Sequence, residues 1–93
     1  MKTIKKVKVR NMVSSSSKAV PNQFVINTDD GTYFQSYDSV IAFIDHAGVR
    51  HLDRNLWNYS TTTGKYRNIF LRENKEQTER QIKEGIYKLV DLN

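Results

Sequence analysis

Two short alternating runs, Gln23 to Thr28 and Thr32 to Tyr37, face each other across Asp29-Asp30-Gly31. Nothing else in the chain constrains its fold as much. In the first run Phe24 and Ile26 share one side; in the second, Tyr33, Gln35 and Tyr37 oppose Phe34 and Ser36. This period of two marks half-buried strands. Asp-Gly supplies the positive φ that tight hairpin turns need. An antiparallel hairpin is therefore expected near the middle of the chain.

The flanking segments extend the same logic. Lys2 to Arg10 alternates as a strand, with Val7 and Val9 on one face and Ile4, Lys6, Lys8 and Arg10 on the other. Ser14-Ser15-Ser16-Ser17 leads to Pro21, so residues 14–21 are expected to form a flexible loop. Ser39 to Asp45 is apolar on both faces. Its shortness and β-branched content favour a central strand, and a short buried helix capped by Ser39 is the competing reading. His46-Ala47-Gly48 turns the chain into a further strand, Val49 to Leu52.

Helical signals begin only after that strand. Asp53 can cap a turn of helix containing Leu56 and Trp57, and Ser60 can cap a helix from about Thr61 to Arg72. On that helix Thr62, Tyr66, Ile69 and Phe70 fall at helical spacing and are expected to face the core. Asn74 with Gln77 has the form of a capping box, and Gly85 is a natural stop for the helix it opens. Ile86 to Leu92 reads as a closing strand. The expected architecture is α+β: a small antiparallel sheet of about five strands with two or three short helices packed on one face. With 93 residues, 1–93 is expected to be a single domain.

Composition narrows the chemistry. There is no cysteine, which removes disulfides and thiolate metal sites. No apolar run approaches the roughly 20 residues of a membrane helix, and no signal-peptide apolar region follows the N-terminal lysines. A cytoplasmic protein with no membrane partner is expected. The net charge of +5 is unevenly spread: +6 over residues 1–20, −4 over 21–49 and +3 over 50–93. Such asymmetry points to a polyanion-facing end.

Catalytic constellations find no support. His46 and His51 stand near Asp45 and Asp53, but their spacing matches no metal-ligand motif. Ser60-Thr61-Thr62-Thr63 has no base beside it, and helix capping accounts for Ser60. Gly64-Lys65 lacks the first glycine and the strand of a phosphate loop. Asp29 and Asp30 belong to a turn. No enzyme, no cofactor and no metal is expected.

Binding residues remain. Lys6, Lys8 and Arg10 on one face of a strand stand about 6.6 Å apart and can track a nucleic-acid backbone, although cations also blunt exposed edge strands. Lys65, Arg67 and Arg72 carry charged ends that are expected to stay solvated. Trp57 and Tyr66 interleave with these cations as base-stacking rings do, yet in a small domain they read first as core residues. Nucleic-acid or partner binding is therefore assigned to Lys6, Lys8, Arg10, Lys65, Arg67 and Arg72.

Tyr33 to Ala42 (YFQSYDSVIA) and Trp57 to Asn68 (WNYSTTTGKYRN) also carry a resemblance. They are similar to a family of small proteins of about this length, carried by phages and plasmids of bacteria and mostly without an assigned function. The resemblance extends from the first strand to Asp91-Leu92-Asn93 and is weakest around Ser14 to Lys18. It implies a setting: mobile-element proteins modulate host machinery, and anti-CRISPR proteins are one such class. The expected function is that of a mobile-element accessory protein binding nucleic acid or a host nucleoprotein, with a Cas effector as the sharpest case. The alternative is a protein-interaction module or homodimer that binds no nucleic acid.

Overall fold

Six strands pair in the order in which they occur along the chain: β1 (Val7–Val13), β2 (Ala19–Thr28), β3 (Gly31–Ser36), β4 (Ser39–Asp45), β5 (Arg50–Asp53) and β6 (Lys88–Val90). Two helices, α1 (Thr61–Leu71) and α2 (Lys75–Lys83), lie between β5 and β6. The structure, a computed structural model, describes residues 6–93. Lys2, Thr3, Ile4 and Lys5 of the expected first strand lie outside the described residues.

The fold is α+β, and it departs from expectation in two respects. The sheet has six strands rather than about five, and it is mixed: β1 to β5 form an antiparallel meander, whereas β6 pairs with β5 in parallel. A parallel neighbour cannot be reached by a tight turn and needs a long crossover, which the two helices between β5 and β6 supply. Among the described residues there are two helices. The expected turn of helix after Asp53 is a set of turns instead, in which the Trp57 amide donates to the Asp53 carbonyl (3.1 Å).

Local chemistry explains most boundaries. Thr28 pairs with Gly31, so Asp29-Asp30 alone form the hairpin loop. Gly31 is the first residue of β3, at φ +142°, and a Cβ there would stand 2.3 Å from the Ile44 carbonyl oxygen. The glycine answers to a close approach by β4, not to the turn. The serine-rich turn ends at Lys18, and β2 begins at Ala19 and carries Pro21, so the expected 14–21 loop is shorter than its composition implied. Ser39–Asp45 is a strand, paired on both sides.

One face of the sheet carries the core. Met12, Val25, Phe34, Ala42 and Leu52 join Tyr66 and Leu71 of α1, and Ile82 of α2 packs against this cluster. The inner face of α1 differs from the expected one: Thr63, Gly64, Tyr66, Arg67 and Leu71 are buried, whereas Thr62 is exposed and Ile69 is 50% exposed. Thr63 hydrogen-bonds Ser36 across the core (2.9 Å). Tyr66 and Phe70 do face the core as their spacing implies, but the polar Thr63 and Arg67 share that inner face, so the hydrophobic period alone places it only in part.

Candidate functional site

The opposite face of the sheet has no helix described over it. One row runs through consecutive pairings from Val9 to Ile26, Tyr33, Phe43, His51 and Lys88. Tyr33 stacks on Phe43 with ring centroids 4.2 Å apart, and Phe43 lies 5.5 Å from His51. Val7, Val9 and Val13 of edge strand β1 are about 60% exposed. His51 Nε2 meets Asp45 Oδ2 at 3.0 Å, while Asp45 Oδ1 accepts from the amides of Ala47 and Val49, both at 2.9 Å. The hydrogen bond from His51, then that from Val49, holds the Asp45 carboxyl below its ordinary value. Among the described residues no group of three metal-ligating side chains forms.

The basic residues divide between two places. Lys8 and Arg10 lie on the helix-bearing side of β1, since Arg10 pairs with buried Val25 and Lys8 with Asn27. Lys6 precedes the strand, and all three are exposed. Arg10 reaches a cleft of about 460 Å³ between the sheet and the C-terminal half of α1, whose other walls include Met12, Ile69, Phe70, Arg50 and Arg72. Arg72 ends α1 in the left-handed conformation (φ 58°) and is exposed. Two cations from distant parts of the chain thus line one mixed polar and apolar cleft, with no acid among the described residues of its walls.

Arg50, not singled out in the sequence, is the third cation there, and its charge is already engaged. Its Nη1 donates to the Leu71 carbonyl (2.9 Å), the Tyr87 hydroxyl (2.7 Å) and Glu73 (3.4 Å). Tyr87 in turn donates to Glu73, whose other oxygen accepts from Thr78. Burial, reinforced by the hydrogen bond to Glu73, pushes the Tyr87 hydroxyl up from its ordinary value. This network joins β5, the ends of α1 and α2, and the approach to β6.

Lys65 and Arg67 lie elsewhere, on a second pocket of about 650 Å³ beside the start of α1. Lys65 is exposed. Arg67 corrects the expectation that its charge stays solvated: it is 1% exposed. Its Nη1 donates to the Trp57 carbonyl (2.7 Å) and Asn58 Oδ1 (3.2 Å), and Nη2 to Asn68 Oδ1 (2.8 Å). The guanidinium also stands 5.1 Å from the Trp57 ring centroid. Burial lowers its pKa, while the field of Glu73 and Glu79 opposes that shift. Trp57 and Tyr66 are core or core-packed residues, which is the first of the two readings their sequence allowed.

A six-stranded mixed sheet with one helix-covered face and a basic cleft at its edge defines a small α+β protein. The chain belongs to a family of unknown function (DUF8033), which it matches over residues 7–85. No curated protein and no solved structure matches it. No helix among the described residues is long and apolar enough to cross a membrane.

Proposed function

We propose that this protein is a binding protein, not an enzyme, and that it takes the phosphate backbone of a single-stranded nucleic acid, free or within a nucleoprotein, along the cleft between β1 and α1. The observation that carries the reading is that Arg10 and Arg72 line one cleft, partly apolar and without an acidic residue among the described residues of its walls. Lys8 lies on the same side of β1 as Arg10, Lys6 directly precedes the strand, and both are exposed. Cations of this kind bind phosphates and apolar walls accept sugars or bases. The resemblance to phage- and plasmid-borne proteins supplies the finer form of the proposal: a mobile-element accessory protein acting in the host cytoplasm on a nucleoprotein, with a Cas effector as the anti-CRISPR case.

Titration of a fluorescent single-stranded oligonucleotide at several salt concentrations tests the reading. Neutralising three or four phosphates gives a slope of log affinity against log salt of about −2 to −3. Arg10→Ala with Arg72→Ala is expected to weaken binding and flatten that slope together. Absence of binding to DNA and RNA at low salt would refute the proposal.

A second reading draws on the exposed Val7, Val9 and Val13 of edge strand β1 and on the uncovered row containing Ile26, Tyr33 and Phe43. Unpaired edges and apolar faces recruit other chains, including second copies of the same one. A concentration-dependent mass in sedimentation, abolished by Val9→Lys, would favour this protein-interaction module over the nucleic-acid reading if oligonucleotide binding is also absent.

A further inference from the structure

We propose that the pocket at the start of α1 is a binding site for a compact phosphate group, separate from the cleft that holds Arg10 and Arg72. Its walls bring together Lys65, Lys75 and Arg67 with no acidic residue among them. Arg67 is the unusual member. A guanidinium has five N–H donors, and this one is buried with three hydrogen bonds, all to neutral acceptors. Its Nε has no partner. Glu73 and Glu79 act on it through their field, without a hydrogen bond among the described residues. A buried cation without a paired anion is costly, and an anion in the adjoining pocket would offset that cost.

Gly64 supplies an independent argument. It sits inside α1, where glycine is unfavourable relative to alanine. No steric conflict requires it: an added Cβ would stand 3.7 Å and 3.8 Å from the two Nη atoms of Arg67, ordinary contact distances. A methyl group there would add apolar bulk between the buried guanidinium and the pocket that Gly64 and Arg67 both line. The glycine therefore keeps the wall between that buried charge and a ligand thin.

The donor set selects the class of anion. Two lysine ammoniums, one from α1 and one from α2, act as point charges, and both Nη atoms of Arg67 are already engaged, so no free two-pronged fork remains for a planar carboxylate. Ser60 accepts from the Thr63 amide (3.1 Å) and keeps its own hydroxyl proton to donate. Thr61 adds the positive end of an 11-residue helix. Donors contributed by two helices and a helix start suit a tetrahedral oxyanion. A free small phosphate and the terminal phosphate of a nucleic-acid strand share that chemistry.

The test follows amide shifts of the full chain during titration with inorganic phosphate, with chloride at matched ionic strength as control. Saturable shifts at Ser60, Thr61, Gly64 and Lys65 are expected, unchanged by Arg10→Ala with Arg72→Ala and weakened at least about tenfold by Lys65→Ala with Lys75→Ala. Gly64→Ala is the sharper variant: it is expected to raise the melting temperature, as glycine replacement in a helix does, while weakening phosphate binding to a similar degree. A 5′-phosphorylated oligonucleotide reproducing these shifts where its 5′-hydroxyl counterpart does not would identify a strand end as the source. A response to inorganic phosphate without that difference would identify a free phosphate. Shifts no larger than those from chloride, or a Gly64→Ala protein that binds phosphate as tightly as the parent, would overturn the assignment.

Discussion

Asp53 ties together parts of the chain that no local signal connects. One carboxylate oxygen accepts from the amides of Asn55 (3.1 Å) and Leu56 (3.0 Å), and the other from the Leu92 amide (2.9 Å) and Asn93 Nδ2 (3.1 Å). Burial would raise this carboxyl; the bonds from Leu92, Asn93, Asn55 and Leu56 outweigh it and hold the pKa below the ordinary 3.8. A folded value below the unfolded one stabilises the fold above the ordinary pKa, and that contribution is lost as pH falls through the folded value. Denaturant melts should therefore show stability falling below about pH 4, with a smaller fall in Asp53→Asn than in the parent. Asp53→Ala is expected to cost about 2–4 kcal/mol, because four donors lose their acceptor. Gln23 presents the opposite case. It is fully buried, and neither side-chain polar atom has a partner among the described residues. Gln23→Met, of similar volume, should raise stability by about 1–2 kcal/mol in the same melts.

At the scale of elements, the caps are the most legible features. Ser60 and Asn74 cap α1 and α2 as their spacing suggests, and Asn74 with Gln77 completes a reciprocal box, both bonds at 2.8 Å. Ser60→Ala should destabilise the protein by about 1 kcal/mol, measurable as a shifted denaturant midpoint with unchanged slope. The strands of the central hairpin were equally readable, because alternation and turn residues act over a few positions. The inner face of α1 was not. Its buried positions include Thr63, whose partner Ser36 lies 27 residues away, and Arg67, held by the Trp57 carbonyl and two asparagines. Tertiary partners decide such positions, and periodicity assigns a polar residue to solvent by default. The same blindness hid Arg50: nothing near it in sequence indicates the Glu73–Tyr87 network it enters. As for the cleft, the sequence named Arg10 and Arg72 as cations but not as neighbours, since only the folded sheet places β1 beside the end of α1.

Across the whole molecule, the Arg50–Glu73–Tyr87 network fastens the helical connection to the sheet and brings a pH limit at the alkaline end. The Tyr87 hydroxyl is held above its ordinary value of 10.0, by burial first and then by its bond to Glu73. For a raised pKa the stabilising contribution is complete below the unfolded value and fades as pH rises through the folded one. Stability should decline above about pH 10, and Tyr87→Phe should lessen that decline while costing stability at neutral pH. The same view of the molecule makes the order of folding unequal along the chain. β1 to β5 are linked by short turns, so each pairing closes a small loop, whereas β6 docks only after the whole stretch from Arg54 to Tyr87 has been drawn round. During synthesis the meander leaves the ribosome before the strand that completes it. Until the helices dock, a nascent sheet is expected to leave Leu52 and Phe34, core residues of the folded protein, uncovered. Pulse-labelled hydrogen exchange should find β2 to β4 protected before β5 and β6.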